Sequence, residues 1–517
     1  MALNIADLFE HAADLYPDRI AIACGDREVT FAQMDERANR LAHHLASQGV
    51  EAGMHIGVYA RNSIEAVETL LAAYKLRAVA INVNYRYVEN ELRYVFTDAD
   101  LVALVHDEQY TPQVAAVLPH VPPLRSVVVI GGDYEDVLAA SSPERDFGPR
   151  SADDLYILYT GGTTGNPKGV MWRHEDVWRV LGGGIDFVSG EPLADEWEQS
   201  KRGMGMVRLC VAPLIHGNAQ WGALMALFAG DTVVLVPQFD AHEIWRVIER
   251  RKVNVVVLIG DAMARPIIEA LVEGGYDSSS LWAVSSSAAL FSPTVKEQYL
   301  THLPNIVLTE SIGSSETGFA GIGFVTAETK SDGPRVNPGP NTIVIGDDGR
   351  PAGPGVIGRL ARGGHVPIGY YKDPEKTKTM LIEIDGVRYS MPGDFARTEE
   401  DGRLTLLGRG NTCVNTGGEK VYPEEVEGAL KSHPGVFDAL VIGLPDERLG
   451  QRVGALIQPR PEHELDLAEL ERHVRQQVAG YKVPRTVWLV DEIGRTASGK
   501  PDYAWARKYA EEQAATA

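Results

Sequence analysis

The chain has 517 residues, of which 44% are hydrophobic and 23% charged, and its formal net charge is −22. This length exceeds what one hydrophobic core usually supports, so at least two domains are expected. So acidic a chain is not expected to bind nucleic acid, because phosphate backbones select basic surfaces; a locally basic site for a small anion stays open.

The cysteines and the N-terminus indicate the compartment. Cys24, Cys210 and Cys413 are far apart and have no metal-binding spacing, so reduced thiols are expected. The first residues include Asp7 and Glu10 and lack a basic region followed by an apolar run, which argues against a signal peptide. No apolar run approaches the ~20 residues that cross a bilayer. We therefore expect a cytoplasmic protein without a transmembrane segment.

The first two thirds of the chain alternate strand-like and helix-like segments. Thr30 and Gln33 form a capping box that predicts a helix running to Gly49, and Asp240 predicts the start of a helix ending at Arg251. Apolar runs predict strands at 57–60, 79–83, 101–105, 126–130, 155–159, 207–213, 232–236, 253–259, 281–285 and 306–309. This alternation predicts an α/β fold with two helix-covered, mostly parallel sheets.

The amino-acid composition changes near residue 338, where glycine and proline become frequent. Asp348-Gly349 and Asp401-Gly402 are hairpin signals, so we expect a small β-barrel-like subdomain at about 338–408. The last hundred residues predict a separate α+β segment, with the boundary in the run 407–412. The expected domains are 1–408, which includes the β-rich subdomain, and 409–517.

One stretch, residues 159–169, reads Tyr-Thr-Gly-Gly-Thr-Thr-Gly-Asn-Pro-Lys-Gly. Glycines let the backbone approach a ligand closely, and backbone N–H groups and threonine hydroxyls can donate to phosphate oxygens. It is not a Walker A loop, because Pro167 precedes the lysine and Gly169 replaces the magnesium-binding Ser or Thr. A Gly/Thr-rich surface loop is the alternative. The predicted phosphate-binding residues are Thr160, Gly161, Gly162, Thr163, Thr164, Gly165 and Lys168.

Six stretches in a fixed order carry a family resemblance. They are the phosphate loop, 311–318 (Ser-Ile-Gly-Ser-Ser-Glu-Thr-Gly), 389–394 (Tyr-Ser-Met-Pro-Gly-Asp), 408–409 (Gly-Arg), 415–425 (Asn-Thr-Gly-Gly-Glu-Lys-Val-Tyr-Pro-Glu-Glu) and 495–500 (Arg-Thr-Ala-Ser-Gly-Lys). Over nearly the whole chain this order resembles the acyl-adenylate-forming superfamily of acyl-CoA synthetases, nonribosomal-peptide adenylation domains and luciferases. The residues of the phosphate loop, of 171–174 and of 311–316 are similar to those of bacterial acyl-CoA synthetases of sterol side-chain and fatty-acid degradation.

The resemblance implies an ATP-dependent, AMP-forming ligase that joins a carboxylic acid to coenzyme A. ATP and the acid would form an acyl-adenylate with Mg²⁺ present, and coenzyme A would then accept the acyl group. The small C-terminal domain would be mobile and rotate between the two steps about a pivot at Thr412, and a homodimer would be compatible with this family. The residues leave open a linear or a steroid acid, a stand-alone adenylation enzyme that loads a carrier protein, and a non-catalytic nucleotide- or acyl-binding protein.

The resemblance also assigns the nucleotide site. Glu316 would bind magnesium, Asp394 would accept hydrogen bonds from the ribose hydroxyls, and Arg409 would contact the ribose or a phosphate; a solvated carboxylate, a turn Asp and a rim salt bridge are the structural alternatives. The adenine would lie against Ser287, Ala288, Ser311, Ile312 and Ser315. Ile312 stands where the family usually has an aromatic residue, and Ser315 where it has Thr.

Two residues are expected to act on the acid. Lys500 would enter the cleft and contact both the acyl carboxylate and the α-phosphate, and His216 would lie at the carboxylate end of the pocket; a solvated lysine and a core histidine are the alternatives. No general base is needed, because a carboxylate is already ionised at neutral pH. After rotation, Gly417 and Gly418 would line a tunnel for coenzyme A.

The acid pocket is expected to be walled by His216, Trp221, Gly260, Asp261 and Gly313. The glycines at 182–184 suggest room for a bulky acid, although apolar core filling would explain them equally well.

Overall fold

The computed structural model describes residues 4–516, apart from 161–165, 187–188, 288, 290, 330–334, 410–411, 417–418, 447–448, 462 and 497–499. The helices of this part are α1 Ile5–Leu15, α2 Phe31–Ser47, α3 Ile64–Lys75, α4 Glu89–Asp98, α5 Thr111–Val117, α6 Tyr134–Ala139, α7 His174–Leu181, α8 Glu198–Lys201, α9 Gly217–Phe228, α10 Ala241–Arg251, α11 Gly260–Gly274, α12 Pro293–His302, α13 Pro374–Met380, α14 Pro423–Lys431, α15 Leu467–Arg475 and α16 Tyr503–Thr516.

The strands of the large domain are β1 Ile20–Cys24, β2 Arg27–Thr30, β3 His55–Tyr59, β4 Val79–Asn82, β5 Leu101–Asp107, β6 Ser126–Ile130, β7 Leu155–Thr160, β8 Lys168–Arg173, β9 Val207–Cys210, β10 Thr232–Leu235, β11 Val255–Leu258, β12 Ala283–Ser287, β13 Val307–Ser314, β14 Gly318–Val325, β15 Arg335–Pro338, β16 Thr342–Ile345, β17 Ile357–Gly363, β18 Gly369–Tyr370, β19 Leu381–Ile384, β20 Val387–Ser390, β21 Asp394–Thr398 and β22 Leu404–Arg409. The chain then continues with β23 Val414–Thr416, β24 Glu419–Val421, β25 Val436–Asp446, β26 Gly450–Pro459 and β27 Thr486–Leu489.

Two parallel sheets form the centre of the large domain, as the alternating pattern predicts. One contains β4, β3, β5 and β6, and the other contains β1, β10, β9, β11, β12 and β13 in that order. Helices α1, α2, α3 and α9 share a buried apolar cluster with both sheets, and α10, α11 and α12 cover the opposite side of the second sheet. The predicted α/β fold class is confirmed.

The β-rich part is hydrogen-bonded to the second parallel sheet. β13 turns back as β14, β14 pairs with β15, and β15 pairs with β22, so the parallel strands continue directly into antiparallel ones. This continuity fixes the β13–β14 turn, which contains Glu316, at the edge where the two parts meet.

The phosphate segment lies in a hairpin. β7 and β8 are antiparallel, with Thr160 opposite Lys168, and β18 pairs with the other edge of β8. The apolar run at 155–159 predicts β7, whereas β8 is not predicted. α7 begins at His174, directly after this strand.

The C-terminal segment has its own antiparallel hairpin, β25–β26, to which β23 and β27 are joined. α14 and α15 pack against one face of this sheet and α16 against the other. Thr412 lies between β22 and β23, where the domain boundary is expected. In the described part of the chain, no helix combines the length and apolar character needed to cross a membrane.

Candidate active site

A cavity of about 400 Å³ lies where the two domains meet. Its walls come from the carboxyl ends of β4, β7, β12 and β13, from the segment before α9, and from the loop that leads into α16. Ligand sites in α/β proteins typically form at the carboxyl ends of parallel strands, because the helix-leading loops there leave a crevice.

The adenine-binding candidates are brought together by strand pairing. β12 and β13 are parallel neighbours, with Ser287 opposite Ser311. Ser287, Ser311, Ile312 and Ser315 all line the cavity. Ile312 is only 9% exposed, and it also belongs to the apolar cluster beneath the β-rich part. Ala288 lies outside the described residues.

The ends of the phosphate segment border the same cavity. Thr160 and Pro167 line it, and Tyr94 donates a hydrogen bond from its hydroxyl to the Pro167 carbonyl oxygen at 3.2 Å. Lys168 follows and forms an ion pair with Asp373 at 3.2 Å; this hydrogen bond raises the pKa of the lysine. The five residues from Gly161 to Gly165 lie outside the described part, so their phosphate contacts stay a prediction.

Glu316 is held rigidly in the β13–β14 turn. Its side chain accepts a hydrogen bond from the Tyr370 hydroxyl at 2.9 Å, and its main-chain oxygen accepts one from the Ser390 hydroxyl at 2.6 Å. The residue is 6% exposed. In the described residues, no cluster of three or more His, Cys, Asp or Glu side chains could hold a metal ion. A single oriented carboxylate nevertheless suits Mg²⁺, which usually takes one or two protein carboxylates together with substrate phosphates.

His216 immediately precedes α9 and lines the cavity. Its Nε2 atom is shielded from solvent and has no hydrogen-bond partner among the described residues. Burial, followed by the positive charges of Lys500 and Arg86, lowers the pKa of His216 to about 4. The imidazole is therefore neutral at physiological pH and can offer a hydrogen bond to a ligand.

Lys500 belongs to the C-terminal segment and lines this cavity too. The Thr496 N–H donates to the Lys500 carbonyl oxygen at 2.8 Å, and Arg495 forms a β-bridge with Pro501, so the loop is closed at its base. Tertiary packing thus places an ammonium group close enough to His216 to change the pKa of the imidazole.

The described lining of the cavity does not include Asp394, one of the two ribose candidates. Asp394 and Arg409 are opposite each other on β21 and β22, and the side chain of Arg409 is outside the described part. The charge of Asp394 reaches the small domain, where burial, then Glu427, then Asp394 raise the pKa of Glu424. Gly417 and Gly418 are also outside the described residues.

Part of the remaining cavity wall is apolar and aromatic, and Asn84, Glu91, Asn218, Ser314 and Thr496 make the rest polar. The apolar part is formed by Tyr156, Leu158, Trp172, Leu181, Ile215, Ile259 and Phe319. Gly313 also borders the cavity, and its role in an acid pocket stays a prediction. The described lining does not include Trp221, Gly260 or Asp261. Asp261 points away, and its Oδ1 accepts a hydrogen bond from the Ser292 N–H at 2.8 Å.

Gly182 and Gly184 make room for tryptophan rings, and Gly183 makes room for the side chain of Gln199, rather than for a substrate. A Cβ added to Gly182 would lie 2.7 Å from Trp178 Cδ1 and 3.0 Å from Trp221 Cζ3, and one on Gly184 would lie 2.8 Å from the Trp178 ring. The expectation that these glycines leave space for a bulky acid is therefore wrong, and core filling explains them.

Asn82 is a site residue that sequence analysis misses. It ends β4, and its Nδ2 donates to the carbonyl oxygens of Tyr159 at 2.8 Å and Ile215 at 2.7 Å, while its Oδ1 accepts from the Tyr159 N–H at 2.7 Å. One amide thus joins the strand before the phosphate segment to the segment of His216. A polar residue at the carboxyl end of a buried parallel strand is the signal that could have found it.

Comparison with known proteins identifies the family. A sequence model of the AMP-binding enzyme family matches residues 9–371, which is more than half of the chain. The chain belongs to the AMP-binding enzyme family. A second model, for the C-terminal domain of these enzymes, matches residues 425–500. The interval between the two matches contains the expected domain boundary.

Relatives match over nearly the full length. A 3-oxocholest-4-en-26-oate–CoA ligase of Rhodococcus rhodochrous is 57% identical, covering 98% of this chain and 96% of the relative. A medium/long-chain-fatty-acid–CoA/3-oxocholest-4-en-26-oate–CoA ligase of Mycobacterium tuberculosis is 53% identical, covering 99% and 97%. The structure of the anthranilate CoA ligase AuaEII in complex with anthranoyl-AMP superposes with a TM-score of 0.89 at 23% identity, covering 100% of this chain and 98% of that one, which supports the shared fold.

Proposed function

We propose that this family member is an AMP-forming acid:CoA ligase that activates a fatty acid or a sterol side-chain carboxylate. The observation that carries the proposal is the cavity that collects Lys500, His216, Thr160, Ser287 and Ser311 from five separate segments of the chain. The named relatives, CoA ligases for steroid and fatty acids, support the same activity.

The charges of the site fit the first step. A carboxylate and ATP are both anionic, so bringing them together requires positive charge where they meet. Lys500 supplies an ammonium group in the cavity. The neutral imidazole of His216 does not repel this ammonium group and can orient the carboxylate by a hydrogen bond. The carboxylate oxygen would attack the α-phosphorus of ATP and form an acyl-adenylate with release of pyrophosphate.

The other nucleotide contacts follow the expectations from sequence. Thr160 and Lys168 flank the phosphate-binding segment, and Ser287, Ser311 and Ile312 border the position of the adenine. Glu316 is the residue that would hold a magnesium ion, which would neutralise phosphate charge when bound. Asp394 and Arg409 are assigned to the ribose.

The apolar wall favours a large hydrophobic acid. An alkyl chain or a steroid ring system would gain by leaving water against Leu158, Leu181 and Ile215. The one carboxylate of the described lining, Glu91, is an exposed residue of α4. The relatives named for steroid and medium- or long-chain acids support this class of substrate.

The second step needs a different arrangement. Coenzyme A thiol would attack the acyl-adenylate and release AMP after the small domain rotates, with Gly417 and Gly418 lining its path. The domain limits 1–408 and 409–517, a homodimer and a cytoplasmic location stay predictions from the sequence.

A panel of acids tests the proposal. Purified protein with ATP, magnesium and coenzyme A is given acids from acetate through palmitate to a steroid with a carboxylated side chain, and pyrophosphate and thioester are measured together. We expect both products with long-chain or steroid acids. Pyrophosphate with a stalled adenylate would instead identify an enzyme that loads a carrier protein. The absence of pyrophosphate with every acid would leave only a binding role.

A further inference from the structure

A second contact joins the two domains away from the cavity, on one face of α11. Asp261, Arg265 and Glu269 follow each other at four-residue spacing and so share this face. Arg265 is 2% exposed, and its guanidinium carbon lies 5.6 Å from the centre of the Phe437 ring in the small domain. Glu269 forms an ion pair with Arg460 of the small domain at 2.9 Å.

The Phe437 ring is shared by two cations. The guanidinium carbon of Arg460 lies 5.9 Å from the same ring centre, so arginines from both domains pack on one aromatic side chain. Such cation–π contacts are strongest where water is excluded, and the burial of Arg265 meets this condition.

The small-domain side of this contact is connected to the loop that carries Lys500. Phe437 is followed by Asp438, which is 7% exposed and pairs with both Lys431, at 3.1 Å, and Arg495. Arg495 begins the loop that ends at Lys500 and is bridged to Pro501. A displacement of Phe437 would therefore be transmitted to the Lys500 loop through Asp438 and its ion pair with Arg495.

The contact also has features of a reversible one. Arg265 Nη2 and Asp261 Oδ2 are both buried, lie 3.8 Å apart and have no hydrogen-bond partner among the described residues. Burial lowers the pKa of Arg265. A guanidinium held this way loses hydration that its partners only partly replace. The hydration regained when the small domain rotates would offset part, but not all, of the cation–π contact with Phe437.

We propose that the Asp261–Arg265–Glu269 face is a latch for the domain orientation that forms the acyl-adenylate, with Arg265 positioning Lys500 through Phe437. The inference rests on the proposed function and adds to it a specific determinant of one half-reaction. A group that interacts with only one of two orientations shifts their populations by its differential free energy. Loss of the latch should therefore slow adenylate formation and leave thioester formation from a supplied acyl-adenylate unchanged or faster.

The kinetic test uses Arg265→Met and Arg265→Lys in the full-length chain. For Arg265→Met we expect a roughly threefold to thirtyfold slower release of pyrophosphate, the range given by loss of a desolvated cation–π contact, with the KM for ATP unchanged. Arg265→Lys keeps the charge and should recover part of the rate. Arg250→Met, an exposed arginine on α10, is the matched control and should behave as wild type. Equal loss of both half-reactions in Arg265→Met, or no loss of adenylation, would overturn the latch.

A charge reversal across the Glu269–Arg460 ion pair tests the latch even if the Arg265 variants do not fold. Glu269→Arg and Arg460→Glu each remove the ion pair between the domains and should slow adenylation. The double variant should recover part of the rate, because it re-forms the ion pair but not the Arg460 contact with Phe437. Failure of the double variant to recover, with melting temperatures equal to wild type, would argue against the latch.

A readout that needs no substrate separates this inference from the proposed function. Because the nearby Lys500 charge contributes to the low pKa of His216, release of the small domain in Arg265→Met should raise that pKa, as followed by nuclear magnetic resonance. An unchanged His216 titration would overturn the latch even in a protein that activates none of the acids tested. If the wild-type protein forms the thioester and Arg265→Met has the same kinetics as wild type, the latch is rejected and the proposed function is retained.

Discussion

His216 and Lys500 come from different domains and face the same cavity, where burial first and then the lysine charge lower the pKa of the imidazole to about 4. This relationship exists only while the small domain holds its loop against the large one. The titration of His216 therefore reports the position of Lys500.

We expect Lys500→Ala to raise the pKa of His216, because one positive charge near the ring is removed. The pKa should stay below the usual value near 6.5, since burial is the larger cause. Nuclear magnetic resonance titration of the labelled imidazole measures this shift. An unchanged pKa would mean that Lys500 does not approach His216 in solution.

The same variant should lose adenylate formation by at least about a hundredfold, since it removes a positioned charge from the transition state. Thioester formation from a supplied acyl-adenylate should be largely retained, because in the proposed mechanism that step uses another face of the small domain. Pyrophosphate release and thioester production are measured separately. Lys508→Ala, on the exposed surface of α16, is the control, and equal loss of both steps in Lys500→Ala would contradict the assigned role.

Tyr370→Phe tests the metal assignment of Glu316. Loss of the hydroxyl that donates to this carboxylate should weaken magnesium dependence or activity by roughly 10- to 100-fold, the usual effect of removing a group that orients a metal ligand. Glu316→Gln should cost at least as much. The control is Tyr371→Phe, whose hydroxyl donates to Asp100 on the surface. A magnesium titration identical to wild type in both Tyr370→Phe and Glu316→Gln would exclude Glu316 as a ligand.

Gly313→Ala should disturb the turn that carries Glu316. A Cβ at this position would overlap the Gly318 main-chain oxygen, which cannot move without shifting β14. We expect a loss of about 1–3 kcal/mol in the free energy of unfolding, as for other overpacked sites, together with weaker ATP binding. Gly428→Ala, inside α14 and with open space around it, should instead be neutral or slightly stabilising. Urea unfolding and ATP titration of both variants check this contrast.

The fully buried His174 should make the large domain sensitive to acid. Its Nδ1 accepts from the Ile5 N–H at 3.2 Å and its Nε2 donates to the Leu155 carbonyl oxygen at 3.1 Å, and burial lowers its pKa to about 4. The unfolded state takes up a proton near pH 6.5, whereas the folded state does so only near pH 4. Stability should therefore be unaffected above pH 6.5 and fall between pH 6.5 and 4, by about 3 kcal/mol from this residue.

Chemical denaturation at a series of pH values measures this loss, and a resolved His174 resonance should stay neutral down to about pH 4. Protonation of His174 near pH 6.5 in the folded protein would contradict the argument. His11, which is only partly buried, gives a comparison within the same spectrum.

Much of the architecture can be read from local pattern. The alternation of apolar runs and capped helices predicts the parallel strands, because neighbouring residues along the chain decide which faces can be buried. The β8 strand was not predicted, because Lys168–Arg173 directly follows a glycine-rich segment and its alternation of apolar and polar residues is short. The order of the motifs was sufficient for the family. It also named nucleotide-site candidates, of which Thr160, Ser287 and Ser311 line the described cavity.

The sequence by itself determined the fold class, the family and the chemical type of each candidate residue, since these depend on residue identity and near-neighbour spacing. Only the tertiary structure decided that Lys500 lines the same cavity as His216 and that Asn82 joins two site segments. It also decided that tryptophan rings fill the space beside Gly182 and that the Asp261 carboxylate accepts a hydrogen bond from the Ser292 N–H. These facts depend on side chains from distant segments competing for the same volume and the same hydrogen bonds, and no spacing along one chain specifies that outcome.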